Sequence, residues 1–195
     1  CTSGTTAITV GSGSAGGYGS SRSDGNAWQY TAAPGSNSLN GVWGTSPTDL
    51  WAAADTGTMM HYDGSAWAVP QNFVPRANYS LQKIWGSAPN DVWTVGSGGT
   101  VRRFNGDSWS SVSSGTTNSL QDVWGFNSTN VFAVGASGTF QKFDGQTWSA
   151  VPYAVTPGPT NTLNSVWGSS ASSVWATGTT GLTVLYNGTN LSVNN

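Results

Sequence analysis

Glutamate is absent from the sequence, and all eight acidic residues are aspartates. Charged residues make up 7% of the 195 positions, against about a quarter in an average soluble domain. Glu and Lys are the usual residues of exposed helical surfaces, so their scarcity argues against a helical bundle. With six basic residues and a net charge of -2, the chain also lacks the cationic face of a nucleic-acid binder.

Cysteine and histidine occur once each. A single Cys excludes a disulfide framework and a zinc site built from cysteines within the chain. The lone histidine, His61, has no second imidazole or glutamate with which to form a metal or catalytic site. No run of 18 apolar residues is present, which argues against a membrane-spanning helix. We therefore expect a non-enzymatic protein with no catalytic residue, no cofactor and no metal.

A repeat dominates the sequence. The tripeptide Val/Ile-Trp-Gly begins at residues 42, 84, 123 and 166. Each of its Trp residues is followed after 8 positions by another large residue, after 12 more by an Asp or Asn, and after 4 more by a Trp or Leu. These offsets are identical in the four copies, which indicates one structural unit repeated along the chain.

Each copy predicts four short strands. β-Branched and aromatic residues fill segments such as 81–86 and 92–96, and Gly, Asn and Asp lie between the segments. Asp-Gly or Asn-Gly precedes the fourth strand and is a strong hairpin signal. Four antiparallel strands every ~41 residues are typical of a β-propeller blade. The 11 Trp residues then fit between neighbouring blades.

A partial fifth copy opens the chain. Residues 7–11 match a second strand, and Asp24-Gly25 with Trp28 matches the hairpin and the fourth strand, but the Val-Trp-Gly strand has no counterpart. We therefore predict an all-β protein with a tether at 1–6 and one β-propeller domain over 7–195. The propeller has about five blades of four antiparallel strands, an incomplete first blade, and 19 strands. Whether the Val-Trp-Gly strand is innermost or outermost stays open.

The repeat pattern resembles known propeller repeats. Leu-x-x-Val-Trp-Gly, Asp-Val-Trp-x-Val-Gly, Gly-Thr and Asp-Gly-x-x-Trp are similar to repeats of secreted and surface-anchored bacterial β-propeller proteins. They are also distantly similar to the Asp-box repeats of sialidase-like propellers. The resemblance covers about 7–195 and implies the fold. Sialidases use an arginine cluster and a Tyr–Glu pair, and the absence of Glu means that no catalytic residue is carried over.

Cys1 is a candidate lipid anchor or intermolecular link. Bacterial lipoproteins are cut before a Cys that becomes lipidated, and the polar stretch 2–6 fits the tether that usually follows. The alternative is a chain boundary that happens to fall at a Cys. Scarce thiols and lysines favour an extracellular or outer-surface location, and a lipid on Cys1 is the one route by which we expect membrane contact.

Aromatic and basic residues that interrupt the repeat are candidate ligand contacts. The connections between Trp67 and Leu81 and between Trp148 and Leu163 are longer than the others, and long loops on one rim of a rigid ring commonly carry binding residues. The repeated Trp residues are interpreted as core. The predicted ligand-binding residues are Phe73, Arg76, Tyr79 and Tyr153.

The turn aspartates and the basic residues of the third strands have structural interpretations. Asn or Ser replaces each of these aspartates in other copies, so we expect them to bind their own turn backbone. They are Asp49, Asp63, Asp91 and Asp144. The aligned basic residues either keep a sheet edge soluble or form a weak cationic belt. They are Arg22, His61, Arg103 and Lys142.

Two functions remain compatible with the sequence. The first is a surface or extracellular propeller that acts as a binding or scaffolding module for a glycan or a protein. The alternative is a subunit that self-assembles as a homo-oligomer, filament or lattice through the missing-strand edge or the N-terminus. The low charge of the chain weakens repulsion between copies, and an unpaired strand edge templates strand addition.

Overall fold

Sixteen strands form four antiparallel sheets within the residues that the computed structural model describes, 38–75, 79–154 and 158–194. Each sheet holds one copy of the repeat, with its strands hydrogen-bonded in chain order. The first sheet comprises β1 (Leu39–Ser46), β2 (Asp49–Ala54), β3 (Met59–Tyr62) and β4 (Trp67–Ala68). The second comprises β5 (Leu81–Ala88), β6 (Asp91–Gly96), β7 (Val101–Phe104) and β8 (Trp109–Val112).

The third and fourth sheets repeat the same plan. The third comprises β9 (Leu120–Asn127), β10 (Asn130–Gly135), β11 (Phe140–Phe143) and β12 (Trp148–Ala150). The fourth comprises β13 (Leu163–Ser170), β14 (Ser173–Gly178), β15 (Thr183–Tyr186) and β16 (Leu191–Asn194). The all-β architecture of four-stranded propeller blades is therefore confirmed. The tether at 1–6 and the partial copy lie outside the described residues, so five blades and 19 strands stay a prediction.

The Val-Trp-Gly strand is the innermost strand of each sheet. The most extensive contacts between neighbouring sheets join β1 to β5, β5 to β9 and β9 to β13. A buried aspartate, Asp122, also links two of these strands, because its Oδ2 accepts hydrogen bonds from the Val166 N–H (2.9 Å) and the Ser165 hydroxyl (3.0 Å). Burial raises the pKa of this carboxyl group. The structure thus decides the question that the sequence left open.

The tryptophan of one innermost strand lies over the glycine of the next. A Cβ atom on Gly86 would lie 2.6 Å from two ring carbons of Trp43, and one on Gly125 would lie 2.8 Å from the Trp85 ring. Only glycine leaves room for the indole at these positions. In these two interfaces the Trp and Gly of the tripeptide are therefore two halves of one contact between sheets, whereas the residue of the preceding sheet that lies nearest to Gly168 is Phe126.

A second layer of aromatic residues fills the interfaces farther from the axis. In the first three sheets, the large residue of the second strand packs on the outer strands of the next sheet. The Trp51 ring lies 4.9 Å from Phe104 and 5.3 Å from Trp109, measured between ring centroids. The Trp93 ring lies 4.8 Å from Phe143 and 5.5 Å from Trp148. The Phe132 ring lies 5.6 Å from Tyr186. The interpretation of the repeated aromatics as core is confirmed for these residues.

The fourth sheet presents an apolar face that no described residue covers. Trp167 and Trp175 occupy the positions of Trp85 and Trp93, yet they are 58% and 40% exposed. Trp93, by contrast, is fully buried under the third sheet. The same side chains thus form an interface where a following sheet is present and an exposed patch where none is described.

The turns of the sheets gather on two opposite rims. The connection rim carries the links between sheets and the turns between second and third strands. In each sheet the first residue of that turn donates a backbone hydrogen bond to the residue directly before the sheet's own first strand, as Ser97 does to the Ser80 carbonyl oxygen (2.9 Å). The hairpin rim carries the other turns. On the connection rim Gly99 has φ +69°, and a Cβ there would lie 2.0 Å from the Thr116 carbonyl oxygen, so this turn requires glycine.

Candidate binding site

A cavity of about 270 Å³ opens on the connection rim beside the second sheet. Tyr79, one of the predicted ligand contacts, lines it together with Arg102, Ser114 and Thr116. Arg102 is buried, its Nη1 donates to the Val74 carbonyl (2.9 Å), and its guanidinium lies 4.7 Å from the centroid of the Phe73 ring. The cavity therefore combines hydroxyl groups with an aromatic and a cationic side chain.

Sequence reasoning missed Arg102, although a signal for it exists. The corresponding residues of the other sheets are Met60, Gln141 and Val184, and all four positions are buried. Arg102 is the one charged residue at a repeat position that is buried and uncharged in the other three sheets, so it departs from the repeat as clearly as an extra aromatic residue in a loop does. Comparing the copies column by column for charge would have found it.

Phe73 lies in the interface between the first and second sheets. It is 4% exposed and meets Trp109 edge to face at 6.0 Å. Its ring supports Arg102 from below, so Phe73 shapes the cavity through a buried contact.

Tyr153 lies between the third and fourth sheets, away from Phe73 and Tyr79. Its hydroxyl donates to the Gly138 carbonyl oxygen (2.7 Å), and its ring packs against Gly158. Burial raises the pKa of Tyr153 to about 12, so the phenol remains a neutral donor at physiological pH. The structure therefore does not bring Tyr153 into one site with the other predicted contacts.

Two predicted residues, Arg76 and Cys1, lie outside the described residues. Ligand binding by Phe73, Arg76, Tyr79 and Tyr153 stays a prediction. The role of Cys1 as a lipid anchor or intermolecular link also stays a prediction.

A larger cleft of about 380 Å³ lies between the first two sheets, towards the hairpin rim. Its walls include Asp49, Trp51 and His61 from the first sheet and Phe104 and Trp109 from the second. His61 stacks on Trp51 with ring centroids 4.2 Å apart, and its Nε2 lies 2.8 Å from Asp49 Oδ1. Burial opposes ionisation of Asp49, but hydrogen bonds from Thr45 and His61 outweigh it and lower the pKa of the carboxyl group.

The interpretation of Asp49 and Asp91 as caps of their own turns is wrong. Asp49 binds His61 and the Thr45 hydroxyl, and Asp91 binds Arg103 Nε (2.7 Å) and the Ser87 hydroxyl. Each aspartate is the first residue of a second strand, and its side chain binds the basic residue of the third strand instead of the backbone of its own turn.

The interpretation holds for the two hairpin aspartates. Asp63 Oδ1 accepts the backbone N–H groups of Ser65 and Ala66, and Asp144 Oδ1 accepts those of Gln146 and Thr147. The pKa of the Asp63 carboxyl group is lowered by a hydrogen bond from the Ser65 hydroxyl (2.7 Å) and by these backbone bonds, and that of Asp144 is lowered by its backbone bonds. Asn105 and Asn187 make the same pair of bonds in their hairpins, which explains the exchange of Asp for Asn.

The aligned basic residues do not form a free cationic belt. The Arg103 guanidinium lies 4.7 Å from the centroid of Trp93, and Lys142 Nζ lies 5.4 Å from the centroid of Tyr186. With His61 on Trp51, three interfaces each place a basic side chain on an aromatic face. The fourth member of the set, Arg22, lies outside the described residues.

Within the described part of the chain, no three His, Cys, Asp or Glu side chains come together in a way that could hold a metal ion. None of the helical segments there has the length and apolar character needed to cross a membrane.

The sequence matches no protein-family model and no curated protein sequence. The fold, however, is similar to solved structures at low sequence identity. YCF48 bound to D1 peptide has a TM-score of 0.64 at 15% identity, with 84% of this chain and 56% of that chain covered. The extracellular domain of BT4673 from B. thetaiotaomicron has a TM-score of 0.64 at 12% identity, covering 83% of this chain and 22% of that one.

A computationally designed protein, Ika4, is also similar, with a TM-score of 0.61 at 15% identity and 84% of this chain and 95% of that chain covered. The chain spans little more than half of the length of the two YCF48 structures that it matches, 56% and 57%. At these identities the likeness concerns the β-propeller fold.

Proposed function

We propose that the protein is a non-catalytic β-propeller module that binds a protein or peptide ligand outside the cell. The observation that carries the proposal is the cleft between the first two sheets, where a carboxylate, an imidazole and three aromatic side chains meet in about 380 Å³. Recognition sites combine apolar and aromatic walls with a few placed polar groups in this way.

A rigid frame holds these side chains in place. Trp51 is 4% exposed and is fixed by Phe104, Trp109 and His61. A site whose walls are already ordered loses little conformational entropy when a ligand binds, which favours affinity. The cavity beside Tyr79 and Arg102 offers a second contact region on the opposite rim.

Solved neighbours support a peptide or protein ligand over other classes. YCF48 was solved with a D1 peptide, and the similar domain of BT4673 is extracellular. The scarcity of thiols and lysines in this chain fits the same location. The non-catalytic part of the proposal rests on the composition of the chain, which has no Glu, one His and one Cys.

A selection of displayed random peptides on the immobilised full chain tests this proposal. We expect enriched peptides that bind the soluble full chain in the micromolar range, as is typical of small recognition clefts, on the order of -8 kcal/mol. A glycan array probed with the same preparation is the competing arm. Binding on the array without peptide enrichment, or binding in neither arm, would overturn the peptide proposal.

The exposed face of the fourth sheet favours a second candidate function, self-association. Trp167 and Trp175 present an apolar surface that is an interface in the preceding sheets, and such surfaces commonly mark protein contacts. A second copy of the chain is the occupant that we propose, because the first sheet exposes the complementary side, with Val42 at 57%.

Light scattering across a concentration series tests self-association. We expect the mass of the particle to rise with concentration in the wild-type protein and to fall to that of a monomer when Trp167 and Trp175 are both replaced by serine. Val74→Ser is the matched control, since Val74 is 73% exposed and lies elsewhere. A monomer at every concentration, or a loss of association in the control variant, would rule out this role for the face.

A further inference from the structure

The interface between the second and third sheets contains a complete guanidinium site occupied by the protein's own Arg103. The guanidinium lies 4.7 Å from the centroid of Trp93 and 5.7 Å from that of Phe143. Its Nε donates to Asp91 Oδ1 at 2.7 Å. Stacking on aromatic faces together with a carboxylate bond is the usual way in which proteins hold a guanidinium.

The interface between the first and second sheets contains the same parts. Trp51 lies 4.9 Å from Phe104, as Trp93 lies 4.8 Å from Phe143. Asp49 begins β2 as Asp91 begins β6. The two interfaces thus share an aromatic pair and a carboxylate in equivalent positions.

The two interfaces differ in the basic residue. His61 stands where Arg103 stands, and its shorter side chain reaches Trp51 and Asp49. The cleft of about 380 Å³ opens beside it, with Phe104 and Trp109 in its wall. Trp51, the counterpart of Trp93, is buried beneath His61, whereas Phe104, the counterpart of Phe143, is half-buried and lines the cleft.

A second carboxylate belongs to the wall of the cleft. Asp107 lines the cleft, and the hairpin of the third sheet has Gln146 at the equivalent position. The carboxylate of Asp107 is exposed and has no hydrogen-bond partner among the described residues. Two carboxylates facing aromatic rings favour a cation over a neutral or anionic group.

The geometry points to this cleft as a binding site for an arginine side chain of a protein ligand, inserted between the first two sheets beside His61. That the arginine belongs to a protein ligand rests on the proposed function. That the cleft suits a guanidinium rests on its likeness to the site that holds Arg103. Asp49 and Asp107 supply the charge, and Phe104 and Trp109 supply the aromatic faces.

Titration with Nα-acetyl-arginine methylamide, followed through the indole N–H signals of the full chain in an NMR spectrum, tests the site. We expect the Trp51 and Trp109 signals to shift with a dissociation constant in the millimolar range. The citrulline analogue has the same shape without the charge, and we expect it to bind at least about fivefold more weakly.

Three variants separate the site from a general charge effect. Asp107→Asn should weaken arginine binding by about fivefold, because it removes an exposed carboxylate from the cleft wall. Asp144→Asn is the matched control, since it removes the same charge in the hairpin of the third sheet, and we expect an unchanged affinity. His61→Arg should abolish binding, because it places the protein's own guanidinium in the site as Arg103 does in the second interface.

The outcomes distinguish this inference from the proposed function. Equal binding of the arginine and citrulline probes, or shifts that persist in His61→Arg while its thermal unfolding stays cooperative, would overturn the arginine site. Should His61→Arg fail to fold, Asp107→Asn against Asp144→Asn decides the question. If selected peptides bind the wild type and Asp107→Asn equally, the peptide-binding function stands and the arginine site is wrong. If the arginine probe binds but no peptide is selected, the arginine site stands and the peptide-binding function is wrong.

Discussion

Replacing Trp93 by alanine should destabilise the protein by about 3–5 kcal/mol, the range for truncating a large buried aromatic side chain. Trp93 is fully buried between the second and third sheets. Its ring meets Phe143 and Trp148 and supports the guanidinium of Arg103. Truncation would remove these contacts together and would leave a cavity that rigid sheets cannot close.

Trp175 provides the matched control for this substitution. It occupies the same position in the fourth sheet, where it is 40% exposed. Trp175→Ala should therefore cost less than half as much free energy of unfolding as Trp93→Ala, measured by denaturant titration at low protein concentration. Equal costs at the two positions would contradict the account in which stacked sheets bury these aromatic residues.

Replacing Gly125 by alanine should destabilise the protein by about 2–3 kcal/mol, the upper part of the range for forcing an extra carbon into a closely packed core. The new Cβ would lie 2.8 Å from the Trp85 ring and 2.8 Å from the Asn130 carbonyl oxygen. The strand is part of an innermost layer with neighbours on both sides, so neither contact has room to relax.

A double-mutant cycle isolates the contribution of the tryptophan. Trp85→Leu shortens the side chain that lies over Gly125, so Gly125→Ala should cost at least about 1 kcal/mol less in that background, a coupling typical of residues in contact. An unchanged cost would show that the backbone contact alone makes the glycine necessary and that the indole plays no part.

Much of the fold was predictable because one physical constraint recurs in every copy. The constant distances between the Val-Trp-Gly tripeptide, the second large residue and the Asp-Gly or Asn-Gly hairpin indicate a four-stranded unit. The order of the strands relative to the axis was not predictable, since it depends on contacts between sheets. The packing of Trp43 over Gly86 is one of those contacts, and it joins residues of two different sheets.

The candidate site was less predictable, because its residues obey the repeat instead of breaking it. Asp49, Trp51 and His61 sit at regular repeat positions and line the cleft, and His61 differs from its counterpart Arg103 in having a shorter side chain. The search for interruptions pointed instead to Phe73, which proves to be buried. A register-by-register comparison of side-chain length would have been the more informative reading.

The most direct test of the account is a map of tryptophan indole N–H shifts with the tightest peptide from the selection bound to the full chain. The account predicts that Trp51 and Trp109, in the wall of the cleft, shift most. Trp93 and Trp148, closed between the second and third sheets, should keep their positions. Shifts confined to Trp167 and Trp175, or spread evenly over all the indoles, would contradict a binding site between the first two sheets.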